Sequence, residues 1–256
     1  MASYIIPYFK KMATTPSLNL DFDFGVKQEE LARVQQILKN TTQRKYLIDG
    51  NIGAGKTTLV KLLEAYLNGQ GIKAKAILEP VDIWRESAAL QYFYGDIAGR
   101  AYEFQTFTFI TRIKRVINDI LANPDAEVYL FERHIWSDRY IFGALLKEQF
   151  GPVRLQMYEM WWDMWAYIFP MKPTKWILLD TDVDTACHRI TTRNRGEETS
   201  GISRDYLSQL HTKHHQFYTA LIAKGENTEI ISSEIMKLNF IDNEADLQLI
   251  ASIVFS

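Results

Sequence analysis

The chain has 256 residues, 47% apolar and 23% charged, with a formal charge of -2. It is long enough for one sizeable core, and it lacks the Lys/Arg excess that coating a nucleic acid polymer requires. Its single cysteine, Cys187, excludes an internal disulfide, and no apolar run reaches the length of a bilayer span, so no membrane partner is expected.

Residues 1–27 read as an N-terminal extension. Their first stretch, "MASYIIPYFKKM", joins apolar residues to two lysines but is short and broken by Pro7, so a cytoplasmic protein is expected, with a mitochondrial location as the alternative. Residues 28–256 show no repeat, low-complexity tract or composition break and are expected to form a single domain. "QEELARVQQILKN" predicts a helix, and "KYLID" a short buried strand.

That strand runs into Gly50, Asn51, Ile52, Gly53, Ala54, Gly55, Lys56, Thr57 and Thr58. The spacing is that of a phosphate-binding loop, in which glycines let backbone N–H groups approach a polyphosphate and the next helix offers its N-terminus. Lys56 is placed to reach the terminal phosphates, and the Thr57 hydroxyl to sit on magnesium. "KTTLVKLLEAYLNGQG" supplies the required helix, closed by Gly69 and Gly71.

A second strand, "KAKAILE", ends at Glu79, where Pro80 stops it, and a helical region follows from about Ala88 to Ala122. "EVYLFE" is a third strand, ending in Glu132 and Arg133; "TKWILLD" is a fourth, ending at Asp180. "TEIIS" is a fifth, before a helix around Ala245 to Ile253. Strands alternating with helices predict a parallel α/β sheet with helices on both faces, and ligands in such sheets collect at the carboxyl ends of the strands. Four strands here end in Gly50, Glu79, Glu132 with Arg133, and Asp180. The helix "LQMYEMWWDMWAYIF" carries Trp161, Trp162 and Trp165, which read as core or subunit-interface packing rather than an aromatic binding box.

A phosphate loop alone leaves GTPases, motor ATPases, small-molecule kinases and nonhydrolysing relatives open. No "NKxD" guanine-reading element is present, and Glu79 at a strand end is placed for the base role a kinase needs.

The blocks "GNIGAGKTT", "EPVDIW", "FQTFTFITR", "ERHIWSDRYIF" and "RITTRNRGEE" together resemble the deoxyribonucleoside kinase family, in order and spacing, from about residue 44 to 215. The resemblance implies a P-loop kinase fold, a five-stranded parallel sheet flanked by helices with a short lid about residues 193–202. It also implies ATP and Mg2+, transfer to the 5′-hydroxyl of a deoxynucleoside, and a homodimer to which the Trp-rich helix contributes. Glu79 matches the family's general base, Arg133 the arginine at the 5′-oxygen and transferring phosphate, and Glu132 the acid near magnesium. Gln105 matches the glutamine that reads the base edge, and Tyr94 the tyrosine at the sugar 3′-hydroxyl.

Trp84, Phe109 and Phe142 are expected as walls of the base slot, Trp84 and Phe142 matching family positions by spacing. Arg189 and Arg193, one helical turn apart, match lid arginines together with Arg195. Glu198 matches the acid that joins Tyr94, although one extra residue separates the acidic pair from "GI" relative to vertebrate members. His134 replaces the usual serine and reads as a packing or hydrogen-bonding substitution. Family members that accept deoxycytidine and purines carry the pair found here as Arg112 and Asp138, which crowds a thymine methyl group. Thr108 resembles the serine of deoxyguanosine kinases and leans toward purines. A nucleoside monophosphate kinase and a noncatalytic kinase-like assembly subunit are the alternatives; retention of Lys56, Thr57, Glu79, Arg133 and the lid arginines speaks against the second.

Overall fold

A computed structural model describes residues 28–193 and 201–256. Helix α1 (Gln28–Lys39) leads into strand β1 (Arg44–Gly50), the phosphate loop and helix α2 (Lys56–Gly69). Strands β2 (Ala74–Ile77), β3 (Val128–Glu132), β4 (Lys175–Leu179) and β5 (Thr228–Ile231) complete a sheet of order β2-β3-β1-β4-β5, every neighbouring pair parallel. Ile48 pairs with Glu132 and Gly50 with Leu179, so the loop leaves the middle of the sheet with charged strand ends beside it.

β1, β3 and β4 are buried along nearly their whole length, which is why they read as continuous apolar runs rather than alternating ones. Period-two alternation still sorts their side chains. Leu47, Phe131 and Leu178 face α1 and the later turns of α5 (Ile97–Ala122), through Ile37, Phe109, Ile113 and Val116. Ile48, Leu130 and Ile177 face α2 and the C-terminal helix α10 (Glu244–Phe255), through Leu59, Leu63, Ile250 and Val254. A third apolar cluster, with Phe93, Phe104, Ile141, Leu146 and Phe150, lies off the sheet and backs the site described below.

The helical region expected from Ala88 to Ala122 begins earlier and is cut into three. Helix α3 (Val81–Glu86) starts directly after Pro80, which suits a first-turn boundary, and Ala88 then adopts the left-handed region at φ 56 before α4 (Ala89–Gly95). Asp96 breaks the chain again and caps α5, accepting a hydrogen bond from the Gly99 N–H at 3.0 Å.

After β3 come a single turn, α6 (Ile135–Ser137), and a π-helical turn at Asp138–Phe142; the long helix α7 (Gly143–Ile168) is interrupted where Gly151 takes φ 71 ahead of Pro152. Helices α8 (Val183–Arg193) and α9 (Arg204–Ala223) follow β4. Trp162 and Trp165 of α7 pack on the sheet-side core, while Trp161 is 45% exposed. Among the described residues, no helix is long and apolar enough to cross a membrane.

Candidate active site

The phosphate loop is held by backbone conformation. A Cβ on Gly50 would stand 2.8 Å from the Leu179 carbonyl oxygen, and one on Gly53, at φ 82, 2.7 Å from that of Ala186. Only glycine fits either position. Asn51 points away from the loop mouth and donates to the Leu207 carbonyl at 2.9 Å, while Ala54 is completely buried. Lys56 curls back onto the loop, its Nζ donating to the carbonyls of Asn51 (2.8 Å) and Gly50 (3.1 Å). Burial, reinforced by Arg133, brings its pKa down to about 8.

Beside the loop runs a row of buried charges that alternate in sign. Asp49, at the end of β1, lies 3.2 Å from Arg133 Nε; it also accepts from Ser137 Oγ (2.5 Å) and the Gly50 N–H (2.8 Å), and His214 Nε2 stands 3.2 Å from it. Arg133 in turn donates to Glu79 at 2.7 Å and to the Gly50 carbonyl at 2.7 Å. Glu79 meets Arg112 at 2.9 Å, and Arg112 meets Asp138 at 2.8 Å. Arg133 holds this position with a left-handed backbone, φ 62, unusual for a residue with a Cβ. Its guanidinium lies over the Phe142 ring, 4.8 Å from the centroid.

Pairing decides which groups stay charged. Burial resists ionisation of Glu79, yet Arg133, Arg112 and Lys56 outweigh it and bring the carboxyl down to about 2. Burial likewise opposes the charge on Asp49, and His214 with Arg133 overcomes it, holding that carboxyl well below the usual range. Glu132 and Asp138 are the exceptions: burial raises both, and the Glu79 charge adds to it.

These groups open onto a cavity of about 430 Å³. On the loop side it is lined by Ile52, Gly53, Gly55, Lys56, Thr57 and Thr58, with Arg189 and Arg193 of α8. Arg189 is pinned over the loop, donating to the Ala54 and Met236 carbonyls at 3.2 Å each. On the other side stand Trp84, Tyr94, Gln105, Thr108, Asp138 and Phe142, with Glu79, Arg112, Glu132 and Arg133 also lining it. The indole N–H of Trp84 donates to Thr111 Oγ1 at 2.8 Å, which fixes the ring plane. Gln105 Oε1 and Arg112 Nη1 are buried without a partner, so an acceptor and a donor of two lining residues stand ready for a ligand.

Thr57 Oγ1 donates to Glu132 Oε1 at 2.6 Å. A hydroxyl and a carboxylate side by side at the loop are the hard oxygen donors that magnesium takes, so this pair fits the ion.

Phe109 does not line the cavity and is corrected to the core. On α5 it points with Ile113, Val116 and Ile120 toward the sheet, and it is 1% exposed. Phe104, one turn before Thr108, lines the cavity instead, stacked on Phe93 at 4.2 Å; the i,i+4 spacing from Thr108 was the available signal. Asp180 is also absent from the lining, meeting His215 at 2.8 Å. Asp49 was missed; a lone carboxylate ending a buried apolar strand was its signal. His134 is buried with its ring 4.5 Å from Trp136, and burial with nearby Arg112 lowers its pKa to about 3, consistent with packing. Arg195 and Glu198 lie outside the described residues.

The cavity thus joins a phosphate-loop cradle to a slot walled by aromatic rings and the Arg112–Asp138 pair, with the Glu79 carboxylate where they meet. A family model described as deoxynucleoside kinase matches residues 46–254. The probable deoxycytidine kinase of fowlpox virus is 32% identical over 178 residues, covering 69% of this chain and 72% of that protein. Deoxycytidine kinase of Homo sapiens is 30% identical over 204 residues, covering 70% and 76%. Mitochondrial deoxyguanosine kinase of Xenopus laevis is 25% identical over 222 residues, covering 78% and 80%. The match spans the loop, the charge row and the slot alike, and the chain belongs to the deoxynucleoside kinase family.

Proposed function

We propose that this chain transfers the γ-phosphate of ATP to the 5′-hydroxyl of a deoxynucleoside, using purine deoxynucleosides or deoxycytidine in preference to thymidine. The observation that carries the reading is Glu79, held ionised between Arg133 and Arg112 where the loop meets the slot.

In this reading the incoming hydroxyl displaces one arginine contact and hydrogen-bonds to Glu79. A carboxylate with a pKa of about 2 is a weak base toward an alcohol, so it takes the proton late, as the new P–O bond forms and the hydroxyl becomes acidic. Lys56, Arg189 and Arg193 balance the charge on the phosphates, and Arg133 orients Glu79 and the 5′-oxygen. Magnesium, held by Thr57 and Glu132, would neutralise phosphate charge when bound. Gln105 and Arg112 offer their unpartnered atoms to the base edge, Tyr94 its hydroxyl to the sugar, and the paired Arg112 and Asp138 leave little room for a thymine methyl.

A nucleoside monophosphate would bring its own negative charge against Glu79, Glu132 and Asp138, which disfavours it as acceptor. A noncatalytic assembly role explains none of the buried charge row. Exposed Met160, Trp161, Met164 and Tyr167 on α7 support a homodimer joined through that helix. We read residues 28–256 as one kinase domain and favour the cytoplasm over the mitochondrion; the lid expected about 193–202 lies mostly outside the described residues.

The test is transfer from Mg-ATP to each of the four deoxynucleosides, with the parent chain and Glu79→Gln. The expected result is 5′-phosphorylation, thymidine the poorest acceptor, and a loss of roughly 10²- to 10⁴-fold in kcat for the variant. Failure to phosphorylate any nucleoside while ATP binds would overturn the reading; thymidine as the best acceptor would overturn its specificity.

A further inference from the structure

Outside the cavity, the end of β4 faces two histidines one helical turn apart on α9. His215 Nε2 lies 2.8 Å from Asp180 Oδ1 and His211 Nδ1 lies 3.8 Å from the same oxygen, with the two imidazole centroids 4.6 Å apart. One ligating atom from each residue can be chosen so that all three fall within 4.8 Å of one another. Ligands at about 2.0–2.1 Å from a tetrahedral zinc ion stand roughly 3.3 Å apart, between the two separations found here.

We propose that Asp180, His211 and His215 form a binding site for a divalent transition ion of the zinc class, distinct from the magnesium position at the phosphate loop. Two imidazoles and one carboxylate are borderline donors that select zinc, cobalt, nickel or copper over magnesium, which prefers oxygen alone. The three side chains are 25–37% exposed, so an ion can enter from solvent and water can complete its shell. None of the three lines the nucleotide cavity. Asp180 is anchored, its backbone N–H donating to the Ile231 carbonyl at 2.9 Å, so the carboxylate is presented from a fixed strand end. A bound ion would staple α9 to β4 and act as a structural brace rather than in phosphoryl transfer.

The experiment uses the full chain stripped with chelator and titrated with cobalt(II), then zinc. Cobalt is expected to give the visible absorption of a nitrogen-ligated, low-coordinate ion at one equivalent, and zinc to displace it. Zinc at about 100 times its Kd is expected to favour the folded state by roughly 100-fold, read as a rise in Tm. His211→Ala and His215→Ala should each weaken cobalt binding by at least about 10-fold and, at the same zinc concentration, cut the zinc-dependent rise in Tm to about half or less. Both should keep the parent's kinase rate in zinc-free Mg-ATP. Absence of the cobalt bands, or bands unchanged in both variants, would overturn the proposal and leave a plain carboxylate-histidine pair.

Discussion

Nine consecutive residues, Gly50 to Thr58, make the phosphate loop, whereas the slot beside it draws Trp84, Tyr94, Gln105, Arg112, Asp138 and Phe142 from α3, α4, α5 and the π-helical turn. The loop is specified by backbone: two of its glycines sit where a Cβ would strike a carbonyl of β4 or α8. The slot is specified by side chains, whose charges must alternate to be buried at all. Arg133 belongs to both, donating to the Gly50 carbonyl on one side and to Glu79 on the other.

Breaking that shared point should have the largest effect. Arg133→Lys removes the planar fork that reaches Asp49, Gly50 and Glu79 together, and kcat/KM is expected to fall roughly 10²- to 10³-fold. Steady-state kinetics check this; a loss below about tenfold would mean that loop and slot work independently. Next in size is Gly53→Ala, which forces φ 82 on an alanine and drives its Cβ toward the Ala186 carbonyl. Urea unfolding should show a loss of about 1–3 kcal/mol, with KM raised for ATP and not for the nucleoside.

Acid titration separates the two regions by charge. Glu79 is held from its ordinary 4.5 down to about 2 in the folded chain, so its contribution to stability is complete above pH 4.5 and is lost as pH falls toward 2. Unfolding followed across that window should steepen in the parent and flatten in Glu79→Gln, while Gly53→Ala should shift the curve without changing its slope. The smallest effect is expected from Phe109→Leu, at about 1 kcal/mol of stability with nucleoside KM unchanged. Phe104→Leu should instead raise nucleoside KM, and the reverse pattern would return Phe109 to the slot.

What could be read in advance follows the same division. The loop, Lys56 and the three central strands were legible because each rests on local spacing or on a continuous apolar run, and the edge strands β2 and β5 as short β-prone segments between turns. Arg112 was legible as a partner of Asp138, but its contact with Glu79 was not, because it joins the end of β2 to the middle of α5 and depends on how the helix lies on the sheet. Ala88 carries no local signal for the left-handed turn that ends α3; α3 itself went unread, and α4 and α5, parted at Asp96, read as one helical region. The strand-end rule grouped Asp180 with the cavity, but β4 lies on the opposite side of β1 from β3, and its end faces α9.

One hydroxyl in the slot already has its hydrogen committed. Thr108 Oγ1 donates to the Gln105 backbone carbonyl at 3.1 Å, so on the proposed function only its lone pairs remain for an entering base. Thr108 can therefore reward a ring that presents an N–H and can do nothing for one that presents a carbonyl. Discrimination at this wall runs in one direction, set by the helix's own backbone rather than by the shape of the pocket.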